Sequence, residues 1–244
     1  MQSILQWLGQ GGYLLACGAT RLAIDPYLSD SLYALKNGDP GFRRMTPPPI
    51  PPQALAADAL VATHAHADHL DPETVVPAAE RVGLFLGPDS CVRKYEGLGI
   101  PTAKIRPLNR GQTVALGPLR LEAVYACHTE DSIGLCVRAP EGLCYFVGDS
   151  LLDERMLAQA LRPDLLLCCI NGRLGNMDAE EAAALAQALA PKAAIPCHYG
   201  LLPANTADPA RFREALEGSG IRCVILEPGR PYALAALMGG EGHA

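Results

Sequence analysis

Thr63-His64-Ala65-His66-Ala67-Asp68-His69-Leu70-Asp71, which closes the apolar run Ala59–Thr63, decides how this chain is read. Three of the chain's six histidines fall within it, in the pattern H-x-H-x-D-H. In an extended segment alternate side chains share a face, so His64 and His66 can hold one ion together. Asp71 suits a helix N-cap and Pro72 a first helical position. The chain therefore bends after His66, and Asp68 and His69 can face a second position nearby.

Three more segments end in the same way. The extended run Leu119–Cys127 ends at His128, Leu143–Val147 at Gly148-Asp149, and Ala193–Cys197 at His198. In α/β proteins such carboxyl ends of strands are where ligand sites form. Imidazoles and carboxylates gathered there match the nitrogen and oxygen preferences of zinc, manganese and iron. We assign His64, His66 and His128 to one metal, and Asp68, His69 and His198 to a second. Asp149, with two carboxylate oxygens, bridges them. Two divalent ions are thus expected, zinc or manganese, with iron also accepted. Only His243, near the C-terminus, stands apart from this set.

Around the motif, short apolar runs alternate with helical patterns, which predicts an α/β fold. Strands are predicted at Ile4–Leu8, Tyr13–Cys17 and Arg21–Ile24, as an antiparallel meander. Further strands are predicted at Ala59–Thr63, Leu84–Leu86, Leu119–Tyr125, Ile133–Arg138, Leu143–Val147, Leu165–Ile170, Ala193–Pro196 and Ile221–Leu226. Helices are predicted at Pro72–Arg81, Asp89–Glu96, Asp153–Leu161, Ala179–Leu189 and Pro209–Glu217. A long irregular segment, 25–52, contains Pro47-Pro48-Pro49-Ile50-Pro51-Pro52, which excludes helix and central strand. A loop of this length in a compact domain is usually functional or mobile. The tail beyond Leu237 is expected to be frayed.

The 244 residues suit one domain, 1–244, and at 49% hydrophobic they can bury a sizeable core. No run is long and apolar enough to cross a membrane. The N-terminus lacks the basic and apolar blocks of a leader, so we read it as the first strands of a cytoplasmic protein. The net charge of −6 and scattered Lys and Arg argue against nucleic acid as a partner. Nine cysteines without paired spacing read as reduced thiols, mostly buried. Cys127 and Cys197 each precede a candidate ligand, and strand alternation turns them away from the metals.

The order H-x-H-x-D-H, then His, Asp and His, resembles the signature of the metallo-β-lactamase superfamily. That resemblance implies a four-layer αββα sandwich. Closer similarity is to the branch of the bacterial L-ascorbate-6-phosphate lactonase. Trp7-Leu8-Gly9, Arg44-Met45, Leu86-Gly87-Pro88, Gly148-Asp149-Ser150 and Ile195-Pro196-Cys197-His198 carry it. It also places Asp25 near the metals, where the carboxylate can orient a ligand histidine. A simple turn role beside Pro26 competes with that. The resemblance leaves room for a homo-oligomer.

The reading is metal-dependent hydrolysis, in which two metals lower the pKa of a bridging water and present hydroxide to an ester or lactone carbonyl. Asp68 is the catalytic candidate, to orient the nucleophile or shuttle a proton. Asn171, Arg173, Tyr199 and Arg44 are the candidates for contacting a small, anionic substrate. Arg173 would grip a carboxylate or phosphate, or else pair with Asp178 or Glu180 and hold its loop. The alternatives are a phosphodiesterase or phospholipase-like metallohydrolase, a di-iron redox protein, and a metal-stabilised binding protein.

Overall fold

The computed structural model describes residues 2–239. The expected frayed tail falls mostly outside these residues, and His243 lies wholly outside them. Two seven-stranded mixed sheets face each other. The first is built from β1 (Ser3–Gly9), β2 (Gly12–Cys17), β3 (Thr20–Ile24), β4 (Ala57–Val61), β5 (Val82–Gly87) and β6 (Ile105–Pro107). The second is built from β7 (Thr113–Leu116), β8 (Leu119–Tyr125), β9 (Ile133–Ala139), β10 (Gly142–Phe146), β11 (Leu165–Cys169), β12 (Ala193–Cys197) and β13 (Arg222–Cys223). A last strand, β14 (Pro231–Ala233), returns to the free edge of β1. In each sheet a hairpin-linked antiparallel half adjoins a parallel half, β3 to β6 in one and β10 to β13 in the other.

Alternation along the strands builds the layers. Leu5 and Trp7 of β1 are buried between the sheets while Ile4 and Gln6 are only half-buried. Tyr13 of β2 and Phe146 of β10 meet across the sandwich with ring centroids 5.3 Å apart. On the outer face of the first sheet, Leu60 and Phe85 pack under α2 (Pro72–Ala78) and α3 (Asp89–Gly97), through Val75, Ala78, Cys91 and Tyr95. On the second sheet α5 (Ala179–Leu189) and α6 (Pro209–Ala215) do the same through Leu185, Leu189 and Phe212. The order is the expected αββα sandwich. Short helices α1 (Ser31–Leu35), α4 (Glu154–Ala158) and α7 (Leu234–Leu237) complete it.

Local chemistry explains the boundaries. Asp71 caps α2 by accepting from Glu73 N–H, and Pro72 occupies its first turn as predicted. α2 stops at Ala78, short of the predicted Arg81. Pro77 cannot donate within it, and the chain tightens into bonds from Ala79 N–H to Val76 O and from Arg81 N–H to Ala78 O. α5 matches its predicted span and carries a full capping box between Asp178 and Glu181. β13 is shorter than the predicted Ile221–Leu226. Val224 N–H still reaches Ala194 O, but the next residue of β12 facing that edge is Pro196, which has no N–H, and the ladder ends.

Candidate metal centre

The ligand candidates leave the two sheets from the same side, just beyond strand ends. His64, His66, Asp68 and His69 follow β4, His128 follows β8, Asp149 follows β10 and His198 follows β12. His64 and His69 rings lie 4.2 Å apart, His64 and His128 4.7 Å, and His69 and His198 5.2 Å, between centroids. Three sets of potential ligand atoms lie within 4.8 Å of one another: His64, His66 and His128; His64, His69 and Asp149; Asp68, His69 and His198. The first and last of these are the two groupings read from the sequence.

Asp149 joins them. Its Oδ1 lies 2.8 Å from His198 Nε2 and 3.2 Å from His69 Nε2, while Oδ2 lies 3.7 Å from His128 Nε2. One oxygen thus faces each lobe.

The donor set fits a divalent cation. His66 Nδ1 sits 2.9 Å from His64 Nε2 and 3.1 Å from His128 Nε2, and His69 Nε2 sits 3.2 Å from His198 Nε2. His64 and His128 donate outward through Nδ1 to Thr63 Oγ1 and Gly175 O, so their Nε2 lone pairs both turn inward on His66, an arrangement that suits a divalent cation.

The far sides of the rings are fixed by partners. Asp25 Oδ2 lies 2.8 Å from His69 Nδ1, so His69 donates there and turns Nε2 inward. The same carboxylate accepts from Thr63 N–H at 2.7 Å and from Thr63 Oγ1–H at 2.6 Å. Thr63 Oγ1 in turn stands 3.2 Å from His64 Nδ1. Asp25 therefore orients a ligand histidine, as the resemblance implied, and does so from a backbone φ of 44°. His128 Nδ1 donates to Gly175 O at 3.0 Å. At Gly175 φ is 84°, and a Cβ there would come within 3.0 Å of His128 Nδ1, so only glycine lets the loop reach the ring.

Charge around the cluster is uneven. Burial, with help from the His69 charge, holds His64 well below the usual imidazole range, and burial lowers His66 too. At His69 burial works in the same direction, but Asp149, Asp25 and Asp68 together outweigh it and raise the pKa well above 6.5. Burial opposes ionisation of Asp149, yet His198 and His69 keep it well below the ordinary carboxylate value.

Two residues here escaped sequence reasoning. Gln10, buried in the β1–β2 turn, points Nε2 at Asp68 Oδ2 (3.1 Å) and His198 Nδ1 (3.2 Å). A Cβ on Gly11 would lie 3.0 Å from His69 Cε1 and 3.3 Å from His198 Nε2. The Gly11-Gly12 pair offered a hint, but nothing local said what approached it.

The structure gives the expected substrate contacts partners within the chain. Tyr199 packs at a tilt against Trp7 and donates its hydroxyl to Leu226 O. Arg44 donates to Tyr27 O and Thr46 O and lies over the Tyr27 ring, pinning the 25–52 segment. Asn171 is buried in an amide network, donating to Asn205 Oδ1 and Arg173 O and accepting from Asn176. Arg173 donates to Ala204 O. Neither acid weighed as its partner holds it: Asp178 caps α5 and Glu180 pairs with Arg211. Cys197 is buried and Cys127 half-buried, and neither joins a ligand group; Cys197 ends β12, whereas Cys127 lies beyond β8, where strand alternation does not apply.

A cavity of about 420 Å³ opens over the cluster. His66, Asp68 and Asp149 form its polar floor, and Leu32, Leu35, Lys36, Phe42 and Leu174 are among its walls. Most of these walls come from the 25–52 segment, which folds over the site.

Comparison with known proteins agrees with this geometry. A family model described as the beta-lactamase superfamily domain matches residues 20–199. The chain belongs to the metallo-β-lactamase superfamily and is a metal-dependent hydrolase of that fold. A UPF0173 metal-dependent hydrolase of Archaeoglobus fulgidus is 30% identical over 246 residues, covering 93% of this chain and 97% of that one. Among solved structures, Igni18, a metallo hydrolase of Ignicoccus hospitalis, superposes with TM-score 0.75 at 23% identity, over 96% of this chain and 99% of that one. The isothiocyanate hydrolase from Delia radicum gut bacteria gives 0.76 at 20% identity, over 96% and 99%. No described helix is long and apolar enough to cross a membrane.

Proposed function

We propose that this protein hydrolyses an ester or lactone bond in a small anionic molecule, using two divalent ions. The observation that carries the reading is Asp149, whose two oxygens face separate groups of histidines at the base of one cavity. His64, His66 and His128 would hold one ion and Asp68, His69 and His198 the other, with Asp149 shared. When bound, such ions supply Lewis acidity and water of lowered pKa.

The chain's own groups do the rest. Asp25, Thr63 and Gly175 O hold the ligand rings in one tautomer. Asp68 stands on the cavity floor, fixed by Gln10, where it can take the proton of the attacking water and return it to the departing alkoxide oxygen. Lys36 is the cation among the cavity's lining residues and meets the anionic part of the substrate. The resemblance to the L-ascorbate-6-phosphate lactonase branch favours a lactone. Phosphodiesters are the comparison class.

A panel of lactones, carboxylic esters and phosphodiesters, offered to zinc- or manganese-loaded protein with Asp149→Ala as control, tests this. Turnover of lactones or esters that the control lacks is expected. Turnover of phosphodiesters alone would contradict the bond assignment.

A further inference from the structure

The cavity mouth carries two leucines that a polar substrate would not require. Leu35, at the last position of α1, is 60% exposed, and Leu174 is 62% exposed. Few large hydrophobic side chains of the described residues are exposed, and these two are the most exposed of them. Both line the cavity that contains His66, Asp68 and Asp149. Leu32 and Phe42 continue the apolar wall inward.

Leu174 is also held at a backbone φ of 56°, between Gly172 at 63° and Gly175 at 84°. A left-handed conformation favours glycine, admits asparagine and aspartate, and disfavours a leucine. A leucine kept there, with most of its surface in water, gains little from packing within the chain. Backbone strain of this kind recurs at ligand-binding positions. Gly175 explains why the loop is fixed, since its carbonyl holds His128. The leucine next to it is thereby presented to the cavity.

On the reading of the site as an ester or lactone hydrolase, we propose that Leu35 and Leu174 clamp an apolar portion of the substrate, an alkyl chain or ring next to the scissile carbonyl. Lys36, whose Nζ lies 5.2 Å from the Phe42 ring centroid, supplies a cation beside the same wall. The cavity of about 420 Å³ is at the small end of the range for organic ligands. Its occupant is accordingly amphiphilic and modest in size, with polar atoms toward Asp68 and Asp149 and carbon toward the two leucines.

Two homologous series test the clamp. In the first, kcat/KM is measured from γ-valerolactone to γ-decalactone with the metal-loaded enzyme. Each methylene that enters the clamp should raise it by about three- to fourfold, until the cavity is filled. In the second, binding of propanoate through octanoate is measured by calorimetry, which needs no turnover. Affinity should climb with chain length in the same way. Leu35→Gln and Leu174→Asn should flatten both series, and Leu174→Met should restore them. Asparagine tolerates the left-handed backbone, and unchanged melting temperatures would show that the fold is intact.

If no lactone is turned over but the alkanoate series climbs and the variants flatten it, the clamp stands and the bond assignment fails. Equal binding of short and long alkanoates, or none of either, overturns the clamp. So does a chain-length gain that survives both polar substitutions. Loss of self-association in the two variants, without any chain-length dependence, assigns the leucines to a second copy of this chain and also overturns it.

Discussion

The carboxylate of Asp25 lies 2.8 Å from Nδ1 of His69, and both side chains are fully buried. That contact keeps the His69 proton on the outer nitrogen and its inner lone pair on the metal side. Asp25→Ala removes it, and also strands Thr63 N–H and Thr63 Oγ1 without an acceptor. Metal affinity should fall about 10- to 100-fold, and stability of the metal-free chain by about 1–3 kcal/mol. Zinc titration and denaturant unfolding of the variant check the two effects separately. Unaltered affinity would remove Asp25 from the metal site.

Gln10 supports the opposite ring. Its Nε2 touches both Asp68 and His198, and its Oε1 is buried without a partner. Gln10→Leu keeps the volume and removes both contacts. We expect weaker binding at the Asp68, His69 and His198 lobe, by about tenfold, with the other lobe little affected. Stepwise titration with a metal-sensitive dye resolves the two events, and equal weakening of both argues against the assignment.

Protons and metals compete unequally at the two lobes. His64 and His66 are shifted down by burial, so they are neutral and ready to bind through the mildly acidic range. His69 is shifted above 6.5 and must lose its proton to bind. Affinity at its lobe should therefore rise as pH climbs from 6.5 toward the raised folded value, with proton release visible as buffer-dependent heat. The metal-free chain behaves oppositely. The raised folded pKa of His69 gives stability that is complete below 6.5 and is lost as pH rises through the folded value. A metal affinity independent of pH in this range would contradict the charge arrangement.

Substrate charge should be read by Lys36, which lines the cavity, rather than by Arg173, which donates to Ala204 O. Lys36→Met should raise KM for an anionic substrate by about three- to tenfold with kcat nearly unchanged, and leave its neutral analogue alone. Arg173→Lys should alter neither. A reversed pattern would return the anion contact to the 171–176 loop.

The sequence made the centre legible because its residues come as a dense local motif and as single residues at the ends of apolar runs. His64, His66, Asp68 and His69 announce themselves together, and His128, Asp149 and His198 each close a strand. The strands themselves were legible where alternation or an apolar run was long, as in β8 and β9 respectively. They were not where pairing was brief: β6, β7 and β14 span only three or four residues. Groups placed by tertiary approach had no local signal at all. Gln10 meets His198 across 188 positions, and α1 brings Leu35 and Lys36 to a cavity that Leu174 also lines. Tyr199 and Arg173 lie near strand ends that carry ligands, but their hydrogen-bond partners, Leu226 O and Ala204 O, come from distant parts of the chain that the sequence does not place beside them.

The bridging role of Asp149 is the centre of the account, and counting bound metal tests it most directly. Elemental analysis after equilibrium dialysis against zinc should find two ions per wild-type chain. His69→Ala should retain the ion held by His64, His66 and His128, while Asp149→Ala should lose occupancy at both lobes, because one carboxylate serves both. A wild-type chain that saturates at one ion, or an Asp149→Ala variant that retains as much metal as His69→Ala, would contradict it.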